Sequence, residues 1–181
     1  MSEQIKTLAK AIFDRGTPFL KINDIAKLNK RWCRNVKDGD SRRGPWMVAE
    51  YEILNSSAWA KLAPCIYMVK ASDDGLRYVG VSKNRLKDRW RLSPAYDESL
   101  TVKLPDKQLF HSQCWKKMEN ELIESNNLTF EVRVLFSDNL SELYKQGVIS
   151  LSCPLAIESL LRKHRCYDLN MAQSFLPWNS I

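Results

Sequence analysis

The sequence predicts an α+β fold: a small central, mainly antiparallel three-stranded sheet flanked by helices, with a helical N-terminal appendage. Three observations carry this expectation. Two strings rich in Tyr, Val and Ile, CIYMVK and LRYVGVS, flank Ala71-Ser72-Asp73-Asp74-Gly75, and Asp-Gly between such strings is a strong hairpin signal. A third string, TFEVRVLF, alternates so that Phe130, Val132, Val134 and Phe136 share one face. Helical spacing of apolar residues recurs before, between and after these strings.

Taken in order, residues 3–14 place Ile5, Leu8, Ala9, Ile12 and Phe13 on one helical stripe, and Gly16-Thr17-Pro18 ends it. A second helix is expected from a cap at Asn23 or Asp24 through IAKLNKRW. A charged loop with Gly39, Gly44 and Pro45 follows, then helix from Met47 to Leu54 and from Ser57 to Leu62. Residues 1–63 therefore read as a helical appendage to a core at 64–181. Within that core the hairpin leads into KNRLKDRWR, a basic helix, and then into an inserted segment near 93–128. That segment carries a helix opened by Pro105 and striped with Trp115, Met118, Leu122 and Ile123. After the third strand come a short helix at Asp138 to Tyr144 and a final helix. Ser152 is the expected cap of that last helix, Pro154 lies in its first turn, and Ile157, Leu160, Leu161 and His164 form its stripe.

Length and composition narrow the classes. The chain has 181 residues, 44% of them apolar and 10% aromatic, enough to bury a full core. No run approaches the ~18 apolar residues of a membrane span, and Met1-Ser2-Glu3-Gln4 lacks the features of a signal peptide, so no membrane partner and a cytoplasmic location are expected. The formal charge is +7, and seven basic against two acidic residues between Lys27 and Arg43 supply +5 of it. That balance suits a polyanionic partner. Five cysteines without a Cys-x-x-Cys pair suggest reduced, mostly buried thiols rather than a disulfide framework or zinc knuckle.

The residues able to carry chemistry each have an ordinary reading. Glu158 and Arg162 are spaced for an i,i+4 ion pair worth roughly a few tenths of a kcal/mol. Tyr67 and Tyr78 on opposite strands would pack as a cross-strand aromatic pair. Arg89, in a row with Lys83, Arg85, Lys87 and Arg91, would by default face solvent.

Together they resemble the GIY-YIG nuclease superfamily. Cys65-Ile66-Tyr67 matches the first strand signature and Tyr78-Val79-Gly80 the second, eleven positions on. Arg89, in SKNRLKDRW, matches the arginine of the following helix. Glu158 and Asn170 stand twelve apart in AIESLLRKHRCYDLN, as the family's glutamate and terminal asparagine do. The resemblance spans Pro64 to about Asn170. It departs at Cys65, which replaces a glycine, at Arg89, which lies eleven rather than ten residues after Tyr78, and at Ser93, where many members have His. Arg85 is the rival for the arginine's role.

The resemblance implies a metal-dependent DNA endonuclease of the restriction or phage type. One Mg²⁺ or Mn²⁺ would be held by Glu158, with Arg89 gripping the phosphate and Tyr67 as general base, depressed in pKa by Arg89 and the metal. Tyr78 would orient the water or phosphate, and the second proton-transfer residue would be either absent or supplied by Tyr78 or Lys87. Asn170 would tie the last helix to the sheet. Lys27, Lys30, Arg31, Arg34, Lys37, Arg42 and Arg43 of the appendage, with Lys83, Arg85, Lys87 and Arg91, are the expected DNA contacts. The expected partner is double-stranded DNA, with a homodimer left open. The alternative is a catalytically inactive nucleic-acid-binding module that keeps the nuclease fold.

Overall fold

A computed structural model describes residues 3–28, 46–90, 113–125, 127–165 and 175–179. Helix α1 (Glu3–Arg15) turns at Gly16 into β1 (Thr17–Leu28). Then come β2 (Trp46–Ile53), α2 (Ser56–Ala60), the hairpin of β3 (Cys65–Ala71) and β4 (Leu76–Ser82), and α3 (Leu86–Trp90). The remainder is α4 (Gln113–Glu124), β5 (Phe130–Phe136), α5 (Ser137–Lys145) and α6 (Pro154–Lys163).

The α+β class holds, but the sheet has five strands rather than three, in the order β2-β1-β5-β3-β4. Every neighbouring pair is antiparallel. The two additional strands come from the expected appendage. Its segments at 24–28 and 47–53, expected as helix, belong to β1 and β2. Helical spacing in IAKLNK is a weak local preference, and over residues 25–28 the pairing with β2 overrides it. Register shifts against β5 between Pro18 and Leu20, and against β2 between Ile22 and Asp24, break the alternation that would have marked a strand. Consecutive Phe19 and Leu20 are both buried as a result.

The sheet is covered on both faces, which is why β3 is buried at nearly every position instead of at alternate ones. On one face Phe19, Leu20, Ile22, Val69 and Val132 pack with Trp90 of α3 and Trp115 and Met118 of α4. On the other, Ile66, Met68, Val79 and Leu135 meet α1, α5 and α6 through Ile12, Phe13, Leu140, Ile157 and Leu161. The hairpin turn forms where Asp-Gly predicts it. Asp74 adopts φ 68°, and the Asp73 carboxylate accepts the Gly75 N–H at 2.9 Å.

Helix α6 begins one residue later than expected, with Cys153 rather than Ser152 at its cap and Pro154 in the first turn. Ile157 and Leu161 of its stripe are buried, whereas Leu160 and His164 are half-buried. Cys65 and Cys114 are buried and Cys153 is exposed, none of them in a disulfide. Cys33 and Cys166 lie outside the described residues.

Candidate active site

The hairpin sets two tyrosines side by side. Tyr67 pairs with Gly80, and Tyr78 pairs with Val69 two residues along β3, so both rings stand on the same face of the sheet. Their centroids are 6.1 Å apart and the planes are tilted by 33°. Gly80 makes this possible, because a β-carbon there would lie 2.7 Å from both the Tyr67 hydroxyl and Tyr78 Cε1. Cys65 is free of the conformational demand that would require glycine: among the described residues the positive φ values fall at Asp74, Gly147 and Leu176. Burial pushes its thiol up to about 11, so it is unreactive near neutral pH.

Helix α3 delivers the arginine. Leu86 and Trp90 are fully buried, and Trp90 meets Tyr67 edge-on at 5.5 Å, which turns the intervening Arg89 back toward the sheet. Arg89 Nε donates to the Tyr67 hydroxyl at 3.0 Å, and its charge also acts on Tyr78. Lys83, Arg85 and Lys87 are exposed, and Arg85 meets its helix through its carbonyl, which accepts from the Asp88 and Arg89 N–H groups. The geometry thus brings Arg89, and not Arg85, to the tyrosines. In the turn that precedes α3, Ser82 Oγ and the Asn84 backbone exchange two hydrogen bonds.

Glu158 comes from the opposite face of the sheet. Ile157 and Leu161 anchor α6 in the core beneath β3 and β4, leaving Glu158 at the core boundary with its side chain 12% exposed. The ion pair with Arg162 forms, at a long 4.0 Å. Burial raises the Glu158 carboxyl above its ordinary value, opposed by the charges of Arg162 and then Arg89. A carboxylate at this position in turn raises Tyr78. Tyr67, Tyr78, Arg89 and Glu158 thus form one electrostatic unit on and beside the edge strand β4.

Burial sets the direction of the Tyr67 shift. Arg89 does pull the phenol down, through its charge and its hydrogen bond, but burial outweighs it, with Tyr78 and Cys114 adding to the rise. Tyr67 is fully buried and its pKa stands well above 10, so it is a neutral phenol with no access to water in this conformation. Tyr78 is also raised, chiefly by burial, but it is only half-buried.

A divalent cation fits this donor set. Glu158 offers a hard oxygen whose charge is under-compensated by burial, and Mg²⁺ commonly binds through one or two carboxylates with water filling its other positions. Among the described residues no three His, Cys, Asp or Glu side chains cluster, so a metal here would have a largely aqueous shell.

Asn170, Arg91 and Ser93 lie outside the described residues, as do Lys30, Arg31, Arg34, Lys37, Arg42 and Arg43. Lys27 is described only as backbone of β1. Sequence reasoning missed Asn179, 3% exposed, whose side chain accepts from the Val79 N–H at 2.9 Å and donates to the Val79 carbonyl at 2.7 Å. Val79 stands between Tyr78 and Gly80, so Asn179 ties the C-terminal segment to the sheet beside Tyr78. It also missed Arg77, which is buried between Asp73 and Glu121, while Trp178 Nε1 donates to the same Glu121 at 2.6 Å. Asn179 has no local signal, since Val79 is a hundred residues away, and Arg77 has a near partner in Asp73 but a distant one in Glu121. Compared with family models, curated proteins and solved structures, the chain finds no match.

Proposed function

We propose that this protein is a metal-dependent endonuclease that hydrolyses phosphodiester bonds in double-stranded DNA, of the restriction or phage type. The observation that carries the reading is the convergence of Tyr67, Tyr78, Arg89 and Glu158. Three elements and a distant helix supply them, in the order the GIY-YIG resemblance implies.

Each residue has work suited to its surroundings. Arg89 is permanently charged and has five N–H donors, so donors remain for a phosphate oxygen after its bond to Tyr67. Tyr67, neutral and buried, accepts from Arg89 and fixes the plane of the guanidinium; it is a positioning residue rather than the base. Tyr78, with partial solvent access, is placed to hold the attacking water and, as phenolate, to take its proton. With Mg²⁺ or Mn²⁺ bound at Glu158, the site gains stabilisation of charge on the phosphate and on the leaving oxygen. The exposed Lys83, Arg85 and Lys87 extend the positive field along the helix that carries Arg89.

One observation favours a second reading, a module that binds nucleic acid without cutting it: Tyr67 is sealed from water and protonated. Incubating supercoiled plasmid with the protein in Mg²⁺ or in EDTA separates the two. Nicking in Mg²⁺ that EDTA abolishes supports the nuclease, and intact plasmid under both conditions supports the silent module. Among the described residues no helix is long and apolar enough to cross a membrane. A cytoplasmic location accords with the proposed activity.

A further inference from the structure

We propose that Glu121 of α4 is a positioning residue for Tyr78: with Arg77 and Trp178 it clamps residues 176–179 onto the edge of β4 and so fixes where Tyr78 stands beside Arg89. Glu121 lies in the inserted segment between α3 and β5, so the family resemblance gives it no role. The reaction that Tyr78 would serve rests on the endonuclease reading above.

A β-bulge starts the arrangement. Tyr78 pairs with Val69 and Leu76 with Lys70, which leaves Arg77 as an extra residue on β4. Leu76 consequently packs on the α1 face of the sheet and Tyr78 on the α4 face, although residues two apart on a regular strand share a face. The extra residue is aimed at α4. Arg77 Nε donates to both Glu121 oxygens, at 2.9 and 3.1 Å, and its Nη2 donates to Asp73. Glu121 Oε1 also accepts from Trp178 Nε1 at 2.6 Å. One carboxylate thus joins the inserted helix, the bulge and the C-terminal segment.

Tyr78 is held through both of its neighbours. The Arg77 carbonyl accepts the Trp178 N–H at 3.0 Å, and Asn179 bonds both backbone groups of Val79. Among the described residues, the buried polar or charged side chains are Arg77 and Asn179, 7% and 3% exposed. Both act on the residues that flank Tyr78. An apolar pair often fills a buried site with no loss of stability, so a charged pair here serves to select one arrangement. Leu176 makes the same point: a side chain of its size rarely adopts φ 50°, and does so only where its surroundings impose it. Helix α4 also reaches the tyrosines directly. Cys114 in its first turn acts on the Tyr67 and Tyr78 phenols, and Glu121 is seven residues on, on the same helical face and roughly 10 Å along the axis.

The test uses full-length Glu121→Gln and Trp178→Phe, with Glu124→Gln, an exposed position on the same helix, as control. Single-turnover nicking of plasmid in Mg²⁺ at saturating protein should fall about tenfold to a hundredfold in the first two, while affinity for a labelled duplex in EDTA stays at the wild-type value. Backbone amides of residues 77–80 should exchange faster in both, with those of residues 66–69 on β3 unchanged. The double variant should fall no further than Glu121→Gln, because both substitutions cut one link. Glu124→Gln should match the wild type throughout. Nicking by Glu121→Gln at the wild-type rate overturns the proposal, since Tyr78 then needs no help from Glu121. Exchange that rises equally on β3 and β4 also overturns it, because that is a loss of overall stability. If Glu121→Gln does not fold, Trp178→Phe decides alone, as it keeps a ring against Phe130 and loses one donor. A wild type that never nicks, with exchange raised at 77–80 alone, sinks the cutting reaction and leaves the link from Glu121 to Tyr78 standing.

Discussion

Arg89 and Arg85 are one helical turn apart and chemically identical, and only their surroundings separate them. Arg89 is bonded to Tyr67, whereas Arg85 is exposed. Arg89→Ala is therefore expected to lower single-turnover cleavage by about 10²–10³, the usual cost of removing one charge-stabilising donor. Arg85→Ala should stay near wild type at saturating protein, and the reverse pattern would mean that α3 has been misassigned. Tyr78 makes a pH prediction. Its pKa is raised above 10, so the phenolate is a minor species at neutral pH, and its fraction grows tenfold for each pH unit. If it takes the water's proton, log rate should climb with unit slope from about pH 6 to 9, where the protein carries a mostly neutral phenol. A rate that is flat over this range would remove Tyr78 from that role. Four motif positions and their order were legible in the sequence because they lie in short strings. The burial that protonates Tyr67 was not, since it comes from Trp90 and the packing of a whole sheet face.

The outer edge of β4 is the element on which the site depends. An edge strand leaves backbone groups unpaired, and here residues 176–179 cover them. Leu176 N–H bonds the Leu76 carbonyl, Trp178 N–H bonds that of Arg77, and the Asn179 amide takes both groups of Val79. Asn179→Ala leaves a buried donor and acceptor at Val79 unsatisfied, at a cost of about 1–3 kcal/mol. Thermal unfolding should then fall by roughly 2–4 °C per kcal/mol, with faster amide exchange at Val79. Unchanged stability and exchange would mean that this link is dispensable. Strands β3, β4 and β5 could be read from their own residues, since alternation, β-branching and the Asp-Gly turn are all local. Strands β1 and β2 could not. β1 pairs with β5, more than a hundred residues on, and β2 pairs with β1, while the local spacing of IAKLNK points to helix.

Across the whole molecule, charge and fold follow separate logics. The +7 balance carries no information on topology, but it bears on partners. Five of those charges lie between Lys27 and Arg43, on a segment that begins at the end of β1 and precedes β2. If Arg42 and Arg43 each neutralise a phosphate, replacing either with Gln should flatten the salt slope of DNA affinity by about 0.9. A slope equal to the wild type would return these residues to ordinary solvated surface. The general class was legible because hairpin, basic helix, third strand and late helix each carry local signals. The joining of the first 63 residues to the same sheet is a long-range property, and composition cannot report it.

Glu158 tests the central claim most directly. Its pKa is raised in the folded protein, so the fold holds the proton more tightly than the unfolded chain does. The ionised group therefore opposes folding as pH rises past the unfolded value, near 4.5, and the full penalty applies above the folded value. Metal-free Glu158→Gln should accordingly be as stable as wild type or more so at neutral pH, because the Arg162 pair it loses is long and half-exposed. Added Mg²⁺ should raise the unfolding temperature of the wild type alone. The measurement is nicking of supercoiled plasmid by folded Glu158→Gln protein that still binds DNA. A fall of several orders of magnitude is expected, since metal stabilisation of the transition state is worth roughly several kcal/mol. A folded, DNA-binding Glu158→Gln protein that nicks as fast as wild type would contradict the account.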